Sequence, residues 1–446
     1  MKRFSILLLF ALPIQSAVTG LVVRDDGKPL SGAAVRAFAR VPMPAMAERL
    51  LANETPSPIA SATTSDDGKF TLDVKGTPTV DLLIEAAGMQ PAGLPAADRD
   101  DAGAIVMRAG GRTLRITADG KPLASASLLA ANGIALHADA QGRVPRLPFG
   151  SFVIVAPDYA IASGADVSGD EVKISRGVAV QGKVVDAKGA AVGGAAVSMH
   201  GITLAHSAPD GTFTIAHAPS QWRTIEASSG SMAGMVSNGA KIEIRLRPAA
   251  SLSGAVSSTN GPLAGARLDL GTQRAGVSQR SAITDAKGRY AFDGLAPGQY
   301  TLTLSHPAYA MAHVPELNLG KATTRDFRLA PLARISGTVI SEDRKPVAGA
   351  IVTTARSDAG STLSDANGAF SLRVFGDPAP AMLLVAKEGF ATKSYGPQRI
   401  EPGTTKSGVA ITLQRGFPLQ VKVVDPIAPA CPTPTSSSCR ATRRRT

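Results

Sequence analysis

A glycine returns at positions 68, 142, 211, 288 and 368, at intervals of 69 to 80 residues, each time behind a short polar turn and ahead of a strand-like stretch. The five contexts are Asp66-Asp67-Gly68-Lys69-Phe70, Asp139-Ala140-Gln141-Gly142-Arg143-Val144, Pro209-Asp210-Gly211-Thr212-Phe213, Asp285-Ala286-Lys287-Gly288-Arg289-Tyr290 and Asp365-Ala366-Asn367-Gly368-Ala369-Phe370. Self-similarity at a steady pitch means that the chain is built from repeated folding units. The glycine supplies the φ > 0 residue of a tight hairpin, and the aspartate accepts backbone hydrogen bonds at the start of the turn.

A second pattern precedes each of these turns. It runs from Gly20 through Gly27, Gly32 and Val35, from Gly182 through Gly189, Gly194 and Val197, from Gly254 through Gly261, Pro262 and Gly265, and from Gly337 through Pro346, Gly349 and Val352. Leu114 to Leu123 is a weaker copy without the first glycine. Apolar residues alternate after the turns, as in Tyr290-Ala291-Phe292 and Phe370-Ser371-Leu372-Arg373-Val374, and each unit closes on a strand with a late arginine such as Arg108, Arg176, Arg245, Arg328 or Arg415. A period of two in short runs, bounded by turn residues, predicts all-β units of about seven strands, the pattern of a β-sandwich. The expected boundaries are 18–110, 111–177 (divergent), 178–249, 250–332 and 333–415.

These residues resemble the carboxypeptidase regulatory-like domain. The fourth unit carries the whole pattern in Gly254, Pro262, Leu263, Gly265, Ala266, Asp285, Gly288, Tyr290, Gly294, Leu295, Pro297, Gly298 and Tyr300, and the resemblance extends over most of residues 18–415. It implies a seven-stranded transthyretin-like (prealbumin-like, Ig-like) sandwich, related to collagen-adhesin B-type repeats and grouped with carbohydrate-binding-like folds. It implies a fold far more than an activity. Related adhesin repeats carry Lys–Asn crosslinks between first and last strands. Lys183 has no Asn or Asp opposite it in Lys241–Leu246, so none is expected here.

The N-terminus has the layout of a secretory signal peptide: Lys2 and Arg3, an apolar run from Ile6 to Ile14, and a cut after Ala17. The run is too short to span a membrane, and no later stretch in the mature chain is long enough. Export to the periplasm, cell surface or medium is expected. Both cysteines, Cys431 and Cys439, lie in the tail, so the units must be stable without disulfides. Lys2, Arg3, Arg440, Arg443, Arg444 and Arg445 account for half of the net charge of +12, which leaves no basic patch of the kind nucleic acid requires. Phe417 to Asp425 reads as the first strand of a sixth unit whose continuation is missing. Residues 426–446 turn abruptly to Pro, Ser, Thr, Cys and Arg, read as an out-of-frame end of a longer gene or as a genuine disordered basic tail.

No catalytic constellation is present in the sequence. None of His137, His200, His206, His217, His306 and His313 has a glutamate at metal-site spacing, and His306 and His313 read as loop residues. There is no Gly-x-Ser-x-Gly elbow and no phosphate loop, so neither catalytic nor metal residues nor a cofactor are expected. Aspartate turns such as Asp25-Asp26-Gly27 offer too few oxygens for calcium. Aromatic residues are 4% of the chain and Trp222 is the single tryptophan, aligned with Tyr300 at a core position, which weakens a sugar-stacking site. The residues that define the chain are therefore structural: Gly68, Gly142, Gly211, Asp285, Gly288, Tyr290, Tyr300, Asp365, Gly368 and Phe370. Two insertions stand out. Pro42–Pro58 contains a short helical stretch at Met46–Leu51, and Ala86–Ala104 is a second long connection. Such loops are where contacts with a partner, a protein or a glycan at the cell surface, are expected. The expected role is a non-enzymatic scaffold, with a carbohydrate-binding array and the accessory part of a larger exported enzyme or outer-membrane receptor as alternatives.

Overall fold

The computed structural model describes residues 17–74, 80–97, 102–130, 135–147, 152–163, 169–239, 242–272, 278–306, 308–354, 361–374 and 381–416. The signal segment up to Ser16, the start of the sixth unit from Phe417 and the tail lie outside these residues.

The first unit sets the plan. Its elements are β1 (Ala17–Arg24), β2 (Ala34–Ala39), α1 (Met43–Leu51), β3 (Ala60–Thr63), β4 (Lys69–Asp73), β5 (Val80–Glu85), β6 (Ala92–Ala97) and β7 (Ala104–Met107). β1 is the centre of a three-stranded layer, antiparallel to β4 (Gly20 opposite Phe70) and parallel to β7 (Val22 opposite Ile105). The other layer has the order β3-β2-β5-β6. The same two-layer arrangement recurs four times, around the central strands Arg112–Ala118, Val178–Val185, Ala250–Ser258 and Ala333–Ser341, with short extra strands added in the second, third and fourth units. In each, the first strand pairs antiparallel with the strand after the signature turn and parallel with the last strand. Each sandwich closes on its own apolar core, for example Val22, Phe70 and Leu82 in the first, Leu114, Leu128 and Ile154 in the second, and Val339, Phe370 and Leu383 in the fifth.

The signature glycines meet two demands at once. Gly68, Gly142, Gly211, Gly288 and Gly368 have φ of 76°, 67°, 81°, 72° and 72°. In every unit a Cβ at this glycine would lie 2.4–2.5 Å from a carbonyl oxygen of the first strand: Val22, Ile116, Val184, Val256 or Val339. That same carbonyl accepts the N–H that closes the preceding turn, for instance Leu263 to Val256 at 2.9 Å and Val347 to Val339 at 3.0 Å. The glycine is thus required by close approach as well as by its left-handed backbone.

The aspartate is not equivalent in all five turns. Asp139, Asp285 and Asp365 open their turns, and each Oδ1 accepts the N–H groups two and four residues on, at 2.8–2.9 Å. In the first and third units the opening residue is Ser65 or Ala208, whose carbonyl accepts the glycine N–H at 2.8 Å. The carboxylate there sits next to the glycine: Asp67 accepts from the Ser65 hydroxyl at 2.7 Å, and Asp210 from the Thr212 N–H at 3.0 Å.

The residue before Asp285 or Asp365, and its counterpart in the first and third units, closes the sandwich. Thr64, Ser207, Thr284 and Ser364 are all buried. Each hydroxyl donates across to a carbonyl (Leu30, Val192, Leu263, Val347) at 2.6–2.7 Å and accepts an N–H (Ala33, Ala195, Ala266, Ala350) at 2.8–2.9 Å. In the second unit Ala138 stands here and keeps only the backbone bond to Ala126.

The weakness of the second repeat has a steric cause. Four units pair a first-strand glycine with an aromatic residue: Gly20 with Phe70, Gly182 with Phe213, Gly254 with Tyr290 and Gly337 with Phe370. A Cβ on Gly20 or Gly182 would lie 2.6 or 2.5 Å from the facing ring. In the second unit the pair is Leu114 and Val144. The large residue has moved across the pair, and similar volume fills the same core space.

Candidate functional site

The signature residues are not brought together. Each turn and its aromatic residue stay in their own sandwich. The Tyr290 hydroxyl donates to the Arg325 carbonyl and the Tyr300 hydroxyl to the Ala296 carbonyl, both at 2.6 Å, and burial pushes both phenols well above their ordinary pKa. Trp222 is buried in the core of the third unit, just ahead of the strand Thr224–Ser229. His306 and His313 are strand residues rather than loop residues. His306 ends Gly298–His306, where its Nδ1 accepts the Ala308 N–H at 3.1 Å, and His313 lies within Tyr309–Leu319. Among the described residues no three His, Cys, Asp or Glu side chains gather as a metal site, and no helix is long and apolar enough to cross a membrane.

What the fold does bring together is the outer face of the first sandwich and the other four units. The pattern begins in β5. Val80, Leu82 and Ile84 point into the first unit's own core, while Asp81 and Leu83 are also buried, on the opposite face. Leu83 joins the core of the second unit, and Phe38 of β2 packs against that core. A sheet buried on both sides is the physical meaning of an unbroken apolar run interrupted by one acid.

The insertion after β2 supplies the rest. α1 buries Met43, Met46, Ala47 and Leu50, the i, i+3, i+4, i+7 stripe of an amphipathic helix. Its end is set by Asn53 at φ 60°, with the Asn53 N–H on the Leu50 carbonyl and the Glu54 N–H on the Arg49 carbonyl, a Schellman closure. The buried stripe packs with Leu129 and Val155 of the second unit and Ile202 of the third. Burying a side chain of Met or Leu size contributes about 1.5–3 kcal/mol, as an upper bound. On the same helix, Glu48 Oε1 accepts the Thr203 N–H of the third unit at 2.7 Å.

Charge anchors the first unit to the fourth. Arg40 is buried, donates to the Gly265 carbonyl at 3.0 Å and lies 3.8 Å from Asp81, both side chains being 7% exposed. Burial lowers the guanidinium pKa, and Asp81 opposes that shift. Neighbouring units are joined too: Arg280 of the fourth lies 3.8 Å from Glu226 of the third, whose carboxyl is pushed up by burial. The fifth unit reaches the first through its strand Ser361–Leu363, which pairs with β7 at Ser361 and Ala104 and joins their sheets edge to edge. The Ser361 hydroxyl donates to the Ala104 carbonyl at 2.7 Å, and Lys28 lies 2.6 Å from Glu388. Units two to five all touch unit one, and the Pro42–Pro58 insertion, expected to meet an outside partner, meets the chain itself.

One cavity of about 230 Å³ remains at this junction, lined by Arg36, Phe38, Met46, Pro56, Leu83 and His137 among others. Arg36 is paired with Glu85, and burial lowers the pKa of His137, whose Nδ1 lies 3.0 Å from the Ser127 hydroxyl. Sequence reasoning missed Arg40, Asp81 and Glu48. The signals that could have revealed them were the stripe in α1 and the doubly buried run of β5.

Comparison with known proteins agrees with the repeat. Residues 251–330 and 334–414 each match the carboxypeptidase regulatory-like domain family. No curated protein matches the chain in sequence. Similar solved structures include the minor pilin of Streptococcus agalactiae, at 12% identity over 40% of this chain and 100% of that one, with a TM-score of 0.26. A streptococcal ancillary pilin has 12% identity over 46% of this chain and 78% of that one, with a TM-score of 0.24. The shaft pilin of Lactobacillus rhamnosus GG has 11% identity over 38% and 99%, with a TM-score of 0.20.

Proposed function

We propose, for a chain that carries two tandem carboxypeptidase regulatory-like domains, that it is an exported non-enzymatic scaffold whose sandwiches, at 18–110, 111–177, 178–249, 250–332 and 333–415, are clasped around the first as one body. The observation that carries this reading is Arg40, a buried charge that leaves its own sandwich to end on a carbonyl of the fourth. A buried guanidinium that pairs with Asp81 of its own unit and donates to a carbonyl of another is costly unless both units are held in place, which a flexible spacer does not do. A clasped body presents loops and sheet edges in fixed relative positions, suited to binding a protein across several units. The sugar-stacking alternative finds less support, since Trp222 is buried and the exposed large hydrophobic residues among those described are Ile59, Val178, Met235 and Met311.

The test is to array the purified chain from Val18 against glycans and to assay it with chromogenic ester, peptide and glycoside substrates. The scaffold reading expects neither saturable glycan binding nor turnover. Micromolar binding of any glycan class, or turnover abolished by a point substitution, would replace it.

A further inference from the structure

We propose that the groove floored by the second and third sandwiches and bordered by the strand Ser278–Ile283 of the fourth is a helix-recognition site, filled in this structure by α1 of the first. Its ligand class is a short amphipathic helix with aliphatic side chains at i, i+3, i+4 and i+7 and a carboxylate at i+5. Met43, Met46, Ala47, Leu50 and Glu48 occupy those positions.

Three observations carry the inference. First, α1 is an addition to its own sandwich. The connection that holds it runs from Ala39 to Ala60, whereas the equivalent connection in the third unit passes from Met199 to Ile202. Met43, Met46, Ala47 and Leu50 are absent from the first unit's core and join a separate cluster with Leu129, Val155 and Ile202. Second, the helix depends on its seat. It has nine residues and no side-chain cap at its N-terminus, and helices that short are marginal alone in water. Third, the seat has a polar reader as well as an apolar floor. Thr203 lies on the strand Ile202–His206, the edge of the third unit's sheet, and its N–H is answered by Glu48. An unanswered edge N–H is a ready docking point, and helix-in-groove docking by i, i+3, i+4, i+7 anchors is a general recognition mode.

A groove that reads side chains does not need its helix tethered. The tether only supplies an effective concentration, of millimolar order for short linkers. The same pattern presented in trans should therefore bind once α1 is out of the way.

The experiment uses the chain from Val18 with residues 43–51 replaced by a Gly/Ser stretch of equal length, and a dye-labelled peptide of residues 41–54 read by fluorescence anisotropy. Saturable submillimolar binding is expected, at least about tenfold weaker for a Leu50→Glu peptide and for the unmodified chain, whose groove is occupied. No saturable binding to a replaced chain that keeps its β-type circular dichroism overturns the proposal, as does equal binding of the Leu50→Glu peptide or of the unmodified chain. If the replaced chain does not fold, Met46→Ala/Leu50→Ala weakens the plug and leaves the first unit's core residues in place. Absence of peptide binding to that folded variant likewise overturns it.

Discussion

Gly368→Ala is expected to destabilise the fifth sandwich strongly, while Gly389→Ala in the same unit is tolerated. Both glycines have a left-handed backbone, at φ 72° and 84°. For an alanine that conformation alone costs about 1–2 kcal/mol. At Gly389 nothing lies within 4 Å of an added Cβ, so the cost stops there. At Gly368 the methyl would sit 2.4 Å from the Val339 carbonyl oxygen, a contact that backbone must move to relieve. That carbonyl accepts the Val347 N–H at 3.0 Å, and the Val339 N–H donates to the Gly368 carbonyl at 2.7 Å. Losing or stretching those two bonds adds about 1 kcal/mol each. The total of about 3–4 kcal/mol approaches the whole stability of a domain this small, about 4–12 kcal/mol. Hydrogen exchange read on peptides from 333–415 distinguishes the cases. Gly368→Ala should raise exchange throughout the fifth unit by two to three orders of magnitude, at about 1.4 kcal/mol per factor of ten, and Gly389→Ala by about tenfold. Equal effects would refute the close-approach argument and leave only the backbone angle.

Thr284→Val should destabilise the fourth unit by about 2–3 kcal/mol in chemical denaturation, since it strands the Leu263 carbonyl and the Ala266 N–H, while Thr284→Ser should cost under about 1 kcal/mol. In the second unit, Val144→Phe should overpack by about 1–3 kcal/mol, and adding Leu114→Gly should recover at least about 1 kcal/mol as a coupling term; additive single effects would discount volume exchange across that pair. Acid should loosen the turns. Asp67 is held down to about 2 by hydrogen bonds from Lys69 and Ser65, and Asp139, Asp210 and Asp285 are lowered too, chiefly by hydrogen bonds from Arg143, Thr212 and Arg289. A depressed carboxylate contributes stability above its unfolded pKa of about 4 and loses it as pH falls toward the folded value. Denaturation midpoints should therefore fall between about pH 4 and pH 2, and less so for Asp285→Asn in the fourth unit.

The sandwiches were legible because their determinants are local. The turn glycine, the hydroxyl before the turn and the alternating apolar residues after it lie within a few positions of one another, even though the carbonyl the glycine faces is on the first strand. Even the divergent second unit is explained by one exchange, Leu114 and Val144 for glycine and an aromatic residue. The placement of Asp67 and Asp210 within their turns was less legible, because aspartate satisfies a turn from more than one position. The hub was not read, because Arg40, Asp81 and Glu48 take their partners from other units. Arg40 reaches Gly265 and Glu48 reaches Thr203, separations that no local pattern encodes. Half of that information was nevertheless present: the stripe Met43, Met46, Ala47, Leu50 predicts a helix that must bury one face, though not against what.

Small-angle scattering of the chain from Val18 to Gly416 tests the clasped arrangement most directly. A compact body of this length has a radius of gyration of about 21 Å, and five separate sandwiches end to end have roughly twice that. The contacts of the first unit with the other four predict a value near the lower figure that rises on Arg40→Ala; an elongated profile for the unaltered chain would contradict them.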